Sequence, residues 1–417
     1  MPRNIALITS LDTKGEEALF LKGLIESRGH RVVLIDIGTG AEASIKADYT
    51  SKEVAKAGGG DIHTIRKMKD TEKASGIMIK GAVKKVRSLL EKSELDGIIS
   101  FGGGSNTTVA TTIMKSLPFG IAKVMLSSTA SIPAYAGEYF GRKDIAILHS
   151  VVDIAGLNPL VRDVLQRAAG MVCGMVEMGE GPSVLSREKK EDLIALTEFK
   201  FSEKCSSHAR HLLEERGFRV IPFHAQGISD RAMEELIEEG FFHGVVDIVP
   251  AGVGEELLGG NRAAGPRRLE IAGKMGLPQI ITPCGFDMIS CGPIERGEKG
   301  DPLWVSRDLK NRKLFIADSF RVAARTIPEE LKLVAREVAR KLNMAKGPVT
   351  FLIPQKGWSQ LDEEGMPLYD PNADRVFVEE LKNLVNPKIR IVELALQLNT
   401  KEFAEMVVKY FLACMGN

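Results

Sequence analysis

Cysteine is scarce: five in 417 residues, at Cys173, Cys205, Cys284, Cys291 and Cys414. The number is odd and none forms a Cys-x-x-Cys pair. A disulfide framework is therefore not expected, and reduced thiols in a cytoplasmic protein are. No apolar run approaches the roughly 20 residues a membrane helix needs. Met1-Pro2-Arg3-Asn4 leads into a strand with no signal peptide ahead of it, so no membrane partner is expected. Charge of one sign is not in excess either, with 56 Lys+Arg against 55 Asp+Glu. Nucleic-acid binders show a basic excess or stripe, so no nucleic-acid partner is expected. Two nucleotide signatures are also missing. The first strand is not followed by Gly-x-Gly-x-x-Gly, and Gly-x-x-x-x-Gly-Lys-Ser/Thr does not occur.

What is present is strand–helix alternation, written twice. Asn4–Thr9 reads as a strand, residues 16–27 as an amphipathic helix ended by Gly29, and Arg31–Ile37 as the next strand. Leu193–Leu196, Cys205–Glu215, Gly217 and Arg219–Phe223 repeat that order. Residues 25–32 resemble residues 213–220 in their letters, and Leu95–Ile99 echoes Phe242–Val246. Further strands are expected at Lys123–Leu126, Gln279–Thr282, Val349–Ile353 and Lys388–Glu393, and a last helix near Lys401–Cys414. Continuous apolar strands alternating with helices predict parallel sheets covered on both faces. The expected fold is α/β: two Rossmann-like domains with mostly parallel sheets, related as a weak internal repeat. The Gly/Pro-rich and then charged segment from Gly179 to Glu191 sets the expected domains at 1–183 and 190–417.

In such sheets ligands sit beyond the C-terminal ends of the strands, which selects the loops worth reading. Leu95–Ser100 reads as a buried strand and Val109–Lys115 as a helix. Between them lie Gly102, Gly103, Gly104, Ser105, Asn106 and Thr107. Glycines let backbone N–H groups approach a ligand, and a helix N-terminus favours an anion, so this loop suits phosphate. It reads equally as a tight turn. Asp12, Thr13 and Lys14 stand at the start of the first helix. Lys14 suits neutralising phosphate, Thr13 donating to it, and Asp12 holding Mg²⁺ directly or through water. Thr13 and Glu16 also have capping-box spacing, which needs no ligand. Gly38 and Thr39 follow the second strand, where a ribose or adenine edge would lie. In the second half His224, Arg231, Asp287 and Lys356 stand past strand ends. Such residues form an acid/base or anion site, or ordinary caps and surface charge.

The segments Thr9-Ser10-Leu11-Asp12-Thr13-Lys14, Ile98-Ile99-Ser100-Phe101-Gly102-Gly103-Gly104-Ser105, Ser150-Val151-Val152-Asp153-Ile154-Ala155-Gly156-Leu157-Asn158, Phe223-His224-Ala225-Gln226-Gly227 and Pro354-Gln355-Lys356-Gly357 carry a resemblance. The sequence resembles the family of the ATP-binding N-terminal domain of the tomato mosaic virus resistance protein and its uncharacterised microbial relatives. That resemblance implies two Rossmann-like subdomains, ATP in the first, and a homodimer. Asp12, Thr13 and Lys14 match the family's nucleotide-binding triplet, and Gly103 to Asn106 its Gly-rich loop. The family loop often has Gly where Asn106 stands. An arginine that reaches the nucleotide in the family has no counterpart here, and Thr71 and Lys73 are the nearest candidates. Two functions are compatible with these residues. One is an ATP-dependent enzyme acting on a small anionic metabolite in an interdomain cleft, with Lys356 and Arg231 holding the anion and His224 or Asp287 moving protons. The other is a nucleotide-controlled binding protein without turnover.

Overall fold

The computed structural model describes residues 1–179 and 193–416. The expected linker lies outside the described residues after Gly179. The chain separates into two compact units, Met1–Glu188 and Lys189–Asn417.

The first unit is built on a five-stranded parallel sheet: β1 (Asn4–Thr9), β2 (Arg31–Asp36), β3 (Gly97–Gly102), β4 (Ala122–Ser127) and β5 (Ile145–His149). Its order is β2-β1-β3-β4-β5, with Ile5 beside both Val32 and Gly97. Residues Ile5 to Ile8 are all fully buried. Successive side chains alternate between two cores. Ile5 and Leu7 pack with Leu126 and Val172, while Ala6 and Ile8 pack with Ile98 and Met114. A strand buried on both faces has to be apolar throughout, which is why this one reads as an unbroken run. Each large aliphatic side chain removed from water there contributes about 1.5–3 kcal/mol.

The second unit carries β6 (Leu193–Glu198), β7 (Arg219–His224), β8 (Gly244–Asp247), β9 (Gln279–Ile281), β10 (Met288–Ser290), β11 (Leu314–Ile316), β12 (Val322–Arg325), β13 (Val349–Pro354) and β14 (Arg390–Leu394). Six of these form a parallel sheet in the order β7-β6-β8-β9-β13-β14. Numbered within its own sheet, each unit reads 2-1-3-4-5, and the second adds a sixth strand at one edge. The repeat seen in the letters is thus a repeat of topology. A small antiparallel sheet, β10-β12-β11, lies outside the expected strands, as does β5. No helix of the described residues is long and apolar enough to cross a membrane.

Two helix starts differ from expectation. The first helix begins at Leu11, with Ser10 as the N-cap residue, so Thr13 and Glu16 lie inside it rather than at its cap. Its first turn is bent at Lys14, where the backbone is non-helical (φ −127°, ψ 23°). The helix after β3 begins at Gly104, well before Val109. Gly, Ser, Asn and Thr are weak helix formers, and tertiary packing against the sheet overrides that preference.

Candidate functional site

In a sheet of order 2-1-3-4-5 the connections reverse direction between the first and third strands, and the crevice there is where ligands bind. In the first unit that point lies between β1 and β3. Asp12 stands there, the second residue of the helix Leu11–Ser27 that follows β1. Its Oδ2 accepts from the backbone N–H groups of Gly40 (2.8 Å) and Ala41 (3.0 Å). Its Oδ1 is buried and has no hydrogen-bond partner. An acceptor left unpaired in that way costs free energy unless a donor from outside the chain, such as water or a ligand, meets it. Beside it Asp36 Oδ1 accepts from Leu11 N–H (3.0 Å) and Gly38 N–H (2.8 Å). Burial raises the Asp36 carboxyl above the usual range, and the Asp12 charge adds to this against the two backbone donors. Thr39 is half-buried next to them.

The loop after β3 supplies the complement. Gly103 caps the helix Gly104–Lys115 without any side-chain hydrogen bond. The N–H groups of Gly104, Ser105 and Asn106 precede the first helical bond, Thr107 N–H to Gly103 O, and have no described acceptor. They are free donors at the positive end of a helix dipole. Asn106 builds the loop. Its amide donates to Phe101 O (2.6 Å) and Ser100 Oγ (3.2 Å), and its carbonyl accepts from Ser10 Oγ (3.4 Å). A Cβ on Gly102, at φ +154°, would stand 2.8 Å from Asn106 Cβ, so only glycine lets that side chain fold back. Thr107 is fully buried. Its hydroxyl donates to Gly103 O (2.8 Å) and lies 2.8 Å from Ser127 Oγ. Ser105 is exposed and lines a pocket of about 710 Å³ together with Thr71, Lys73 and Thr108. That size falls within the roughly 300–1,000 Å³ of small-molecule sites.

Lys14 faces elsewhere: its ammonium donates to the Ile154 carbonyl in the loop after β5. Glu17, one turn on, accepts from Gly156 N–H (2.8 Å), so this loop is tied to the helix at two points. Thr13 is exposed, with its hydroxyl 3.5 Å from Ser10 O.

In the second unit His224 and Asp287, expected to move protons, and Lys356, expected to hold an anion, differ in their surroundings. His224 is exposed at the end of β7, with Nε2 3.0 Å from the Gln226 side-chain nitrogen. Lys356 is exposed after β13. Asp287 is fully buried, accepting from Ser359 Oγ (2.7 Å) and Gly285 N–H (2.9 Å). No described hydrogen bond or ion pair joins these three. Arg231 donates to Ala263 O (3.1 Å) and pairs with Glu256 at 3.9 Å.

Two buried charge networks escaped the sequence reading. Asp287 belongs to one, with Asp362, Asp374 and Arg325. Arg325 bonds Asp374 and donates to Asp287 O (3.0 Å). Burial and the neighbouring Asp374 push Asp362 up to about 8, and burial raises Asp287 and Asp374 to about 6. In the other, the fully buried Arg268 holds Asp247 with both arms of its fork (2.6 and 2.7 Å), Asp230 (3.0 Å) and Glu234 (3.4 Å). Among the described residues no three His, Cys, Asp or Glu side chains are arranged to hold a metal.

Comparison with known sequences extends over both units. Residues 3–181 match the N-terminal domain of the Uncharacterised protein family (UPF0261), and residues 191–415 match its C-terminal domain. A UPF0261 protein of Clostridium tetani is 38% identical over 416 residues, covering 100% of both chains. A UPF0261 protein of Brucella suis is 32% identical, covering 98% of this chain and 94% of its own. The ToMV resistance protein Tm-1 of Solanum lycopersicum is 29% identical over 97% of this chain and 55% of its own length.

Proposed function

This chain belongs to the UPF0261 family, and we propose that its first unit binds ATP with Mg²⁺ beyond the ends of β1 and β3. The observation that carries the reading is the buried, unpartnered Oδ1 of Asp12 at the point where the strand order reverses. The free N–H groups of Gly104, Ser105 and Asn106 suit phosphate oxygens. Mg²⁺ needs no dedicated cage, since one or two carboxylates with phosphate oxygens and water complete its shell. Asp12 fits that demand, facing the ion directly or through water. Gly38 and Thr39 would flank the ribose, and Thr71 and Lys73 are the nearest candidates for the contact an arginine makes in the resembling family. When bound, Mg²⁺ neutralises phosphate charge. Calorimetry with ATP and Mg²⁺ tests the reading, and the absence of both heat and thermal shift at millimolar nucleotide would sink it.

With ATP in the first unit, an enzyme acting on a small anionic metabolite is the fuller form of the proposal. The second reading, nucleotide-controlled binding without turnover, is favoured by one observation: His224 and Lys356 are exposed, Asp287 is fully buried, and no described hydrogen bond or ion pair joins them. Phosphate release with a panel of small anionic metabolites separates the two. Turnover that is lost in His224→Ala supports the enzyme, and ATP binding without turnover supports the regulator.

A homodimer is the assembly we propose, on the family resemblance. Val161, Val172 and Val176 of the helix Pro159–Met178 are consumed by their own core, whereas Leu160 and Met178 remain exposed. Light scattering should give twice 45.5 kDa, and a monomer mass at micromolar concentration would refute it.

A further inference from the structure

The second unit has a pocket at the topological position that the proposed nucleotide site occupies in the first. It is formed by the segments after β6, β7 and β8, the counterparts of β1, β2 and β3. Lys200 comes from the segment after β6, His224 and Gln226 from the end of β7, and Arg262 from the connection after β8. One wall is apolar: Phe199 and Phe201, with Phe315 of β11. These rings meet edge to face, Phe201 at 5.4 Å from both of the others. The small antiparallel sheet, unexplained by the parallel fold, thus has a role as one side of this pocket.

The electrostatics are one-sided. Among the described residues no carboxylate lines the pocket. Arg321 is paired with Asp318 at 2.5 Å, which offsets its charge. Among the described ion pairs none involves Arg262 or Lys200. Glu255 accepts from the backbone N–H of Arg262, at 3.5 Å, and feels the guanidinium only as a nearby charge that favours its carboxylate. The guanidinium instead lies over the Phe199 ring, 5.8 Å from its centroid, and its Nη1 is buried without a partner. A guanidinium over an aromatic face, with a buried Nη1 left unpaired, is suited to receive a planar anion.

Size limits what enters. The pocket holds about 180 Å³. That is below the roughly 300–1,000 Å³ of drug-sized sites, so a nucleoside triphosphate is excluded. The donors are side chains, with Arg262 over an aromatic ring, and lack the glycine-bounded row of backbone N–H groups found after β3. We propose that this pocket binds a small organic carboxylate, its charged head on Arg262, Lys200 and His224 and its apolar body against Phe199, Phe201 and Phe315. The inference rests on the proposed anionic second ligand only for the sign of the charge, and it stands whether or not the first unit binds ATP.

The full chain is tested by thermal shift and calorimetry with acetate, benzoate and phenylpyruvate, against benzamide, inorganic phosphate and chloride at equal ionic strength. Benzoate or phenylpyruvate should raise the melting temperature in a concentration-dependent way, and benzamide should not. Arg262→Gln should weaken carboxylate binding at least about tenfold, with Lys200→Gln weakening it less. The Arg262 charge also favours the buried Glu255 carboxylate, so the ligand-free melting temperature of Arg262→Gln serves as that variant's own baseline. An ATP titration of the same variant should be unchanged, so failure here is distinguishable from failure of the nucleotide site. The proposal is overturned if no carboxylate shifts the protein at about 10 mM. It is also overturned if benzamide matches benzoate, if inorganic phosphate alone binds, or if Arg262→Gln binds as the wild type does.

Discussion

A Cβ on Gly38 would stand 2.8 Å from the unpartnered Oδ1 of Asp12. Gly38 does not need a left-handed backbone, so its lack of a side chain matters for the close approach of Asp12 and of Asp36 Oδ1, 3.0 Å from the same point. Asp12 cannot swing away freely, because Gly40 and Ala41 hold its other oxygen. Gly38→Ala is therefore expected to displace the carboxylate at a cost of about 1–3 kcal/mol. In calorimetry it should weaken Mg²⁺-dependent ATP binding, and Asp12→Asn should make ATP affinity the same with and without Mg²⁺. Retained Mg²⁺ dependence in Asp12→Asn would remove Asp12 from the site.

Lys14 presents a cleaner choice between two roles. As a tether to Ile154 it contributes to stability alone. As a phosphate contact its loss costs about 1.5–3 kcal/mol of ATP binding. Lys14→Met is expected to show the second effect in a nucleotide titration. A lower melting temperature with unchanged ATP affinity would assign Lys14 to the tether.

The buried carboxylates make stability depend on pH. Asp362 is held at about 8, well above the roughly 3.9 of an unfolded aspartate. Between those values the native state keeps a proton the unfolded chain has lost. Stability is then full below about pH 4 and falls as pH rises to about 8, by up to about 1.4 kcal/mol per unit for one group. Asp287 and Asp374, at about 6, add to the lower part of that window. Urea unfolding of Asp362→Asn should show a flatter profile from about pH 6 to pH 8 and higher stability at the alkaline end. An unchanged slope would mean that Asp362 is ionised in the native state.

Among the described ion pairs, Arg268 is the cation that Asp230, Glu234 and Asp247 share, all of them buried. Arg268→Met leaves three carboxylates without it and should destabilise the second unit by about 3–5 kcal/mol. Urea denaturation measures this directly, and a loss under about 1 kcal/mol, the worth of an exposed pair, would contradict it.

The sheets were legible because burial on both faces writes itself locally. Asn4–Thr9 is an uninterrupted strand in the letters and in space. Leu95–Ile99 and Phe242–Val246 mark equivalent central strands, although β3 starts later, at Gly97. The Gly-rich loop was legible too, but not its division of labour. Asn106 and Thr107 look like ligand contacts in a string of polar letters. Only the strand ends beside them show that their side chains bond Phe101, Gly103 and Ser127. The buried networks left no local signal. The partners of Arg268 lie 21, 34 and 38 positions away, and nothing in their spacing distinguishes them from surface charge. Arg262 was missed for the same reason: its meaning comes from Phe199 beneath it, a residue of another connection.

The strand order has a consequence for how the chain is made. β1 is synthesised well before β3, its neighbour across the switch point, so Ile5 must wait for Gly97. At ribosomal speeds of about 5–20 residues per second, that wait lasts roughly 5–20 s. Through it Ile5, Leu7 and Ile8 have a partner strand on one side at most. The second unit repeats the delay between β6 and β8, over a shorter stretch of chain. The nascent first unit therefore passes through a longer unprotected interval than the second, and demand for a chaperone should peak before β3 has left the ribosome.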